Sequence, residues 1–160
     1  MPDPEDERDP ATGLRGIDQF ENFMRLLAQP ARGPISPQVQ RGQNVFMSVG
    51  CGSCHFPQLV TGPNANPLFN RKPVPAYSDF LLHDIGTGDG IGQAAAQPNE
   101  IRTPALWGLR FRGLLLHDGE ALTPLDAIQA HRNEAERSRQ PYFNQSRDDQ
   151  AALLAFLDSL

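Results

Sequence analysis

Gly50-Cys51-Gly52-Ser53-Cys54-His55 places two thiols in one short window and an imidazole directly after the second. A C-x-x-C-H run attaches c-type haem because the two thiols add to the two vinyl groups of the ring. The adjacent His then falls beneath the iron as its proximal ligand. Two cysteines alone could serve several roles, whereas the immediately following His is demanded by haem alone. A zinc site needs four ligands; Cys51, Cys54 and His55 are too tightly spaced to supply three, and a distant His would have to be recruited. A thioredoxin-like dithiol would follow a strand in a βαβ unit, and no such pattern surrounds the run. The stretch therefore predicts an all-α, cytochrome c-like domain, with short helices and long loops wrapped around one covalent haem c.

The rest of the chain agrees with that reading. Its 160 residues fit one compact domain. Fifteen Pro and fourteen Gly suggest short helices between long irregular loops. Apolar residues make up 39%, and no run approaches the roughly 18 consecutive apolar residues of a transmembrane segment. The net charge of -5 argues against nucleic acid and leaves room for a basic redox partner protein. The two cysteines fall within one window, so a disulfide framework is excluded.

Residues 1–15 are charged and poor in apolar residues, and read as a flexible acidic tail; 16–160 read as the cytochrome domain. The opening MPDPEDERDP is the reverse of a signal peptide's basic and apolar regions. Haem attachment to this motif normally happens outside the cytoplasm. The expectation is a bacterial periplasmic protein whose signal, or a larger N-terminal portion, was removed, with Met1 an introduced start.

Ile17, Phe20, Phe23, Met24 and Leu27 recur at helical spacing, and Pro30 and Gly33 follow as stops. Ser36-Pro37 opens a second helix that delivers the cysteine motif at its C-terminal end. Ser78 is expected to cap a short apolar turn, Thr103-Pro104 a short helix through Leu106, Trp107 and Leu109, and Thr123-Pro124 with Asp126 a helix through Ala127, Ile128 and His131. Ser146 with Asp149 opens the last helix, whose Leu153, Phe156, Leu157 and Leu160 match the stripe of the first. The two terminal helices are expected to cross. No strand pattern stands out.

The other face of the iron has several candidates. Met1, Met24 and Met47 all precede the motif, and core packing is the preferred reading for Met24 and Met47. His83, His117 and His131 remain, as does an open position. His131 is favoured, since it lies on an apolar helical face after enough chain to wrap the haem. His83-Asp84 and His117-Asp118-Gly119 look more like turn chemistry. Arg102 could pair with a propionate, and Trp107 is expected along the haem. Asp84 and Asp89 flank or enter a Gly-rich loop that could take calcium, although no EF-hand spacing is present.

Five blocks occur in order: the cysteine motif, Tyr77 to Gly86 (YSDFLLHDIG), Arg102 to Leu109 (RTPALWGL), Leu116 to Gly119 (LHDG) and Thr123 to His131 (TPLDAIQAH). Together they resemble the C-terminal haem domain of the di-haem oxidoreductase (thiol oxidoreductase) family, related to bacterial di-haem cytochrome c peroxidases and MauG-type enzymes. The resemblance spans roughly residues 17–160. It implies that His131 matches the distal-ligand position and that His117 lies near the haem edge. Those relatives carry two C-x-x-C-H motifs, and this chain has one. Two histidines would close the iron. The expected function is therefore electron transfer by one bis-His haem, through His55 and His131. The alternative is a peroxidase or oxidoreductase domain with an exchangeable sixth ligand, working with a second haem domain.

Overall fold

The structure, a computed structural model, describes residues 6–160. They fall into two compact units that divide after Pro30. The expected acidic tail lies outside the described residues as far as residue 5. From there the chain is ordered by local bonds. The Asp9 carboxylate accepts from the N–H groups of Ala11 and Thr12, and Arg15 pairs with Asp18 at 3.0 Å.

Helix α1, Gly16–Leu26, belongs to this first unit. Asp18 accepts from the Arg15 backbone N–H, so the first turn is capped by its own carboxylate. None of its residues is buried, and Ile17, Phe20 and Phe23 are exposed.

The second unit is built on α2, Pro37–Ser48, and α5, Arg147–Leu157, from near its two ends. The expected caps form: Ser36 Oγ accepts from Val39 N–H and Ser146 Oγ from Asp149 N–H, the latter at 3.1 Å. The two helices pack face to face. Val39, Val45 and Phe46 of α2 meet Leu153, Phe156 and Leu157 of α5 in the buried core. The partner of the C-terminal helix is thus α2. Helix α2 presents a small residue, Gly42, where α5 comes closest.

Between them lie α3, Pro124–Ala130, and α4, Glu136–Phe143, with 3-10 turns at Cys51–Ser53, Leu109–Phe111 and Asn133–Ala135. Four two-residue strands form two antiparallel pairs: β1 (Leu59–Val60) with β2 (Pro73–Val74), and β3 (Leu82–His83) with β4 (Ile101–Arg102). The described residues are therefore mainly helical with a little sheet, rather than all-α. Such short strands leave no alternating pattern to read. Ser78 caps its turn as expected, its Oγ accepting from the Phe80 N–H at 2.9 Å, whereas Thr103 caps no helix. Both are buried, and Ser78 Oγ donates to the Thr103 carbonyl at 2.9 Å, tying two loop segments together.

Candidate cofactor site

Helix α2 ends at Ser48, and Gly50 turns the chain with φ +91, a left-handed conformation that glycine adopts without a Cβ penalty. The chain then tightens into the Cys51–Ser53 turn, closed by the His55 N–H donating to the Cys51 carbonyl at 3.0 Å. Gly52 is buried under Met47, whose Sδ would meet a Cβ there at 2.8 Å. This compact turn brings Cys51, Cys54 and His55 to one cavity of about 530 Å³. Burial pushes the Cys51 thiol up to about 12 and raises Cys54 as well, so both sulfurs stay neutral.

Opposite the motif stands α3. Thr123 Oγ1 accepts from Asp126 N–H while the Asp126 carboxylate accepts from Thr123 N–H, a closed capping box. The helix ends at Ala130, and His131 is the residue just past it. The His131 and His55 rings both line the cavity, with centroids 6.4 Å apart and planes tilted by 45°.

Each ring is oriented from behind. His55 Nδ1 lies 3.1 Å from the Tyr77 carbonyl, and His131 Nδ1 2.6 Å from the Ala127 carbonyl. A carbonyl only accepts, so Nδ1 donates in both rings and the lone pair of each neutral imidazole is on Nε2. Burial holds both rings neutral: it takes His55 down to about 4 and lowers His131.

The donor set fits a haem. An imidazole nitrogen bonds a metal at about 2.0 Å and lies roughly 1.1 Å from its ring centre, so two imidazoles on one ion span about 6.2 Å. That is close to the distance found between these rings. The walls are largely apolar, including Phe46, Leu82, Leu115, Ile128 and Leu157, and the volume falls within the range of cofactor sites.

The remaining residues separate. Arg102 lies on the cavity wall with its guanidinium 5.9 Å from the Phe80 ring centre. His117 also lines the cavity and is half-exposed, with Nε2 3.1 Å from Asp89 Oδ2. Trp107 is not on the wall. The left-handed Gly108 turns Leu106 and Leu109 inward instead, and the Trp107 carbonyl accepts from Arg112. His83 has both nitrogens engaged, Nε2 with Asp79 at 2.9 Å and Nδ1 with Glu134 at 3.0 Å. Met24 and Met47 are about half-exposed rather than core, and neither lines the cavity. Asp84 accepts from the Gly86 N–H, a turn bond, and from Asn99 and Asn133, which tie distant loop segments to it.

Sequence reading missed the two orienting carbonyls. Ala127 was within reach, since a helical residue meets the carbonyl four positions back; Tyr77 was not, because a loop brings it to His55. It also missed Arg112, a further arginine on the cavity wall, anchored to the Ala105 carbonyl at 3.0 Å.

No curated protein matches the chain. Among solved structures, it is similar to hydrazine synthase of Kuenenia stuttgartiensis, determined under 20 bar of xenon, with 24% identity and a TM-score of 0.56. The match covers 86% of this chain and 52% of that one, so the chain spans about half the length of that relative. The likeness is one of fold. The family described as "Di-haem oxidoreductase, putative peroxidase" matches residues 5–160, nearly the whole sequence. With the haem motif, the cavity it faces and this match taken together, the chain belongs to the di-haem oxidoreductase family.

Proposed function

We propose that this chain is a one-electron relay carrying a single haem c, joined through Cys51 and Cys54 and held between His55 and His131. The observation that carries the reading is the pair of imidazoles, 6.4 Å apart, each with Nδ1 committed to a carbonyl. When bound, the haem would supply a ferric/ferrous couple of lower potential than a His/Met pair gives.

The chain's own residues do the rest. The carbonyls of Tyr77 and Ala127 fix both tautomers, so the Nε2 lone pairs are left for one shared ion. Apolar walls keep water from the site. On the motif side, Phe46 packs 5.2 Å from Phe156 and 6.4 Å from His55, so the proximal ring rests on the core. Arg102 and Arg112 offer guanidiniums to the propionates. With both iron faces taken, a substrate finds no coordination position. The partners this implies are a redox protein and, given a di-haem family and one motif, a second haem domain. We place the protein in the bacterial periplasm, where such haem is attached.

A second reading, an oxidoreductase with an exchangeable sixth ligand, draws on the family's description and on the place of His131. That residue follows a helix of only seven residues, with its backbone already extended. One experiment separates the two. Haem staining of a denaturing gel tests covalent attachment, and ferric spectra are taken of wild type and His131→Ala with and without cyanide. The relay predicts a low-spin wild type that lacks the weak long-wavelength band of Met ligation and is inert to cyanide, and a high-spin variant that binds it. Prompt cyanide binding by the wild type favours the second reading. A variant that stays low-spin overturns the assignment of His131.

A further inference from the structure

His83 is the one cavity-lining imidazole whose two nitrogens both face carboxylates: Asp79 Oδ2 at 2.9 Å from Nε2 and Glu134 Oε2 at 3.0 Å from Nδ1. An ionised carboxylate only accepts hydrogen bonds, and a neutral imidazole has a single N–H to give. Both bonds exist together only when the ring is an imidazolium. On losing its proton the ring turns a lone pair towards one carboxylate, and the cluster goes from one net negative charge to two.

The cluster touches both halves of the site. The Asp79 N–H donates to the Cys54 carbonyl at 2.8 Å, directly beside the motif. Glu134 stands three residues after His131; its N–H donates to the Asp84 carbonyl, and its Oε1 accepts from the Asp84 N–H. A sulfur of Cys54 and the ligating atoms of Asp79 and His83 lie within 4.8 Å of one another. In the haem-bound protein Cys54 is a thioether, so this trio has a different use from holding a metal. The side chains of His83 and Asp79 are each 16% exposed, whereas Glu134 is 49% exposed. Charge beside the cavity is thus poorly screened, yet a proton can reach the ring past Glu134.

We propose that His83 is a proton-binding site coupled to the redox state of the neighbouring cavity, so that the chain takes up a proton with its electron. The proposal rests on the haem reading above. The balance is simple. A one-electron donor would reduce a bound haem from ferric to ferrous, which would remove one positive charge from the cavity. One proton from solvent then adds to the free ring nitrogen of neutral His83, forming an N–H bond and breaking no other. Oxidation reverses both.

The charged surroundings support a working range on the alkaline side. Glu134 first, and then Asp79, raise the pKa of His83 above the ordinary value of 6.5, although burial works against them. Across the strand pair, Glu100 and Arg102 belong to the segment opposite, Arg137 of α4 faces Cys54, and Asp84 is held ionised by three hydrogen bonds of its own. The His55 imidazole lies within reach of the charges of both Asp79 and His83.

The test is a reduction-potential titration of the haem-loaded full chain from about pH 6 to about pH 10, for wild type, His83→Gln and Glu134→Gln. The wild-type potential is expected to be flat at the acid end and to fall above a break that lies higher than pH 6.5, with a slope approaching one proton per electron. His83→Gln should lose that slope while keeping a low-spin spectrum. Glu134→Gln changes only a half-exposed carboxylate, so it serves even where His83→Gln folds poorly; its break should move to lower pH. A His83→Gln protein with the wild-type slope, or an unmoved break in Glu134→Gln, overturns the proposal. A chain without covalent haem overturns the relay itself, and the stained gel reports that separately.

Discussion

Gly42 of α2 lies directly against the backbone of Ala152 in α5: a Cβ built there would overlap the Ala152 carbonyl and meet the Phe156 Cβ at 2.8 Å. This is where the two long helices of the second unit come together. Gly42→Ala must force them apart, because one obstacle is backbone and cannot rotate away. The expected loss is about 1–3 kcal/mol, measured by urea unfolding. An unchanged midpoint would mean the helices are not packed at this separation.

Phe46 bridges core and cavity. It is buried, its ring is 5.2 Å from Phe156 and 6.1 Å from Tyr77, and it also lines the cavity beside His55. Truncation to Ala should cost about 3–5 kcal/mol. It should also loosen the His55 ring, seen as a broadened low-spin spectrum in the haem-loaded protein. A loss below about 1 kcal/mol would contradict the packing described.

The capping box of Thr123 and Asp126 holds the short helix that ends at His131. Thr123→Ala removes the hydroxyl that accepts from the Asp126 N–H, at a cost of about 1 kcal/mol to the helix. Thr123→Ser keeps it. The Ala variant should show more high-spin haem on warming than wild type, and the Ser variant should not. Identical behaviour of all three would detach His131 from the iron.

Arg41 of α2 donates to Asp149 of α5 at 2.7 Å, and Ser146 Oγ donates to the other carboxylate oxygen at 2.7 Å. Arg41 first, then Ser146, hold the Asp149 carboxyl below its ordinary 3.8. A depressed carboxylate contributes stability that is complete above the unfolded value and disappears as pH falls through the folded one. Asp149→Asn should therefore melt below wild type at neutral pH, with the two converging in acid under pH 3.8. A gap that stays constant with pH would remove the ion pair as its source.

Much of this site can be read from residue order, because its parts are local. The cysteine motif is one turn, Thr123 to His131 is one capped helix, and Ser36-Pro37 and Ser146 announce their helices by cap chemistry. What escapes depends on pairing across the chain. The stripe of α5 is plain in the sequence, yet its seat on α2 turns on the room left by Gly42. Helix α4 carries Pro141 and mostly polar residues, so neither periodicity nor propensity marks it, and its buried Tyr142 is what fastens it. Met24 and Met47 show the limit of reading apolar as internal, since both lie half-exposed.

The pairing of α2 with α5 also joins parts of the chain that lie about a hundred positions apart. Leu153 and Phe156 of α5 back the helix that leads into the cysteine turn. A change that loosens α5 should therefore be felt at Cys51 and Cys54 as well as in the core, so the remote helix serves as a brace for the cofactor's anchor.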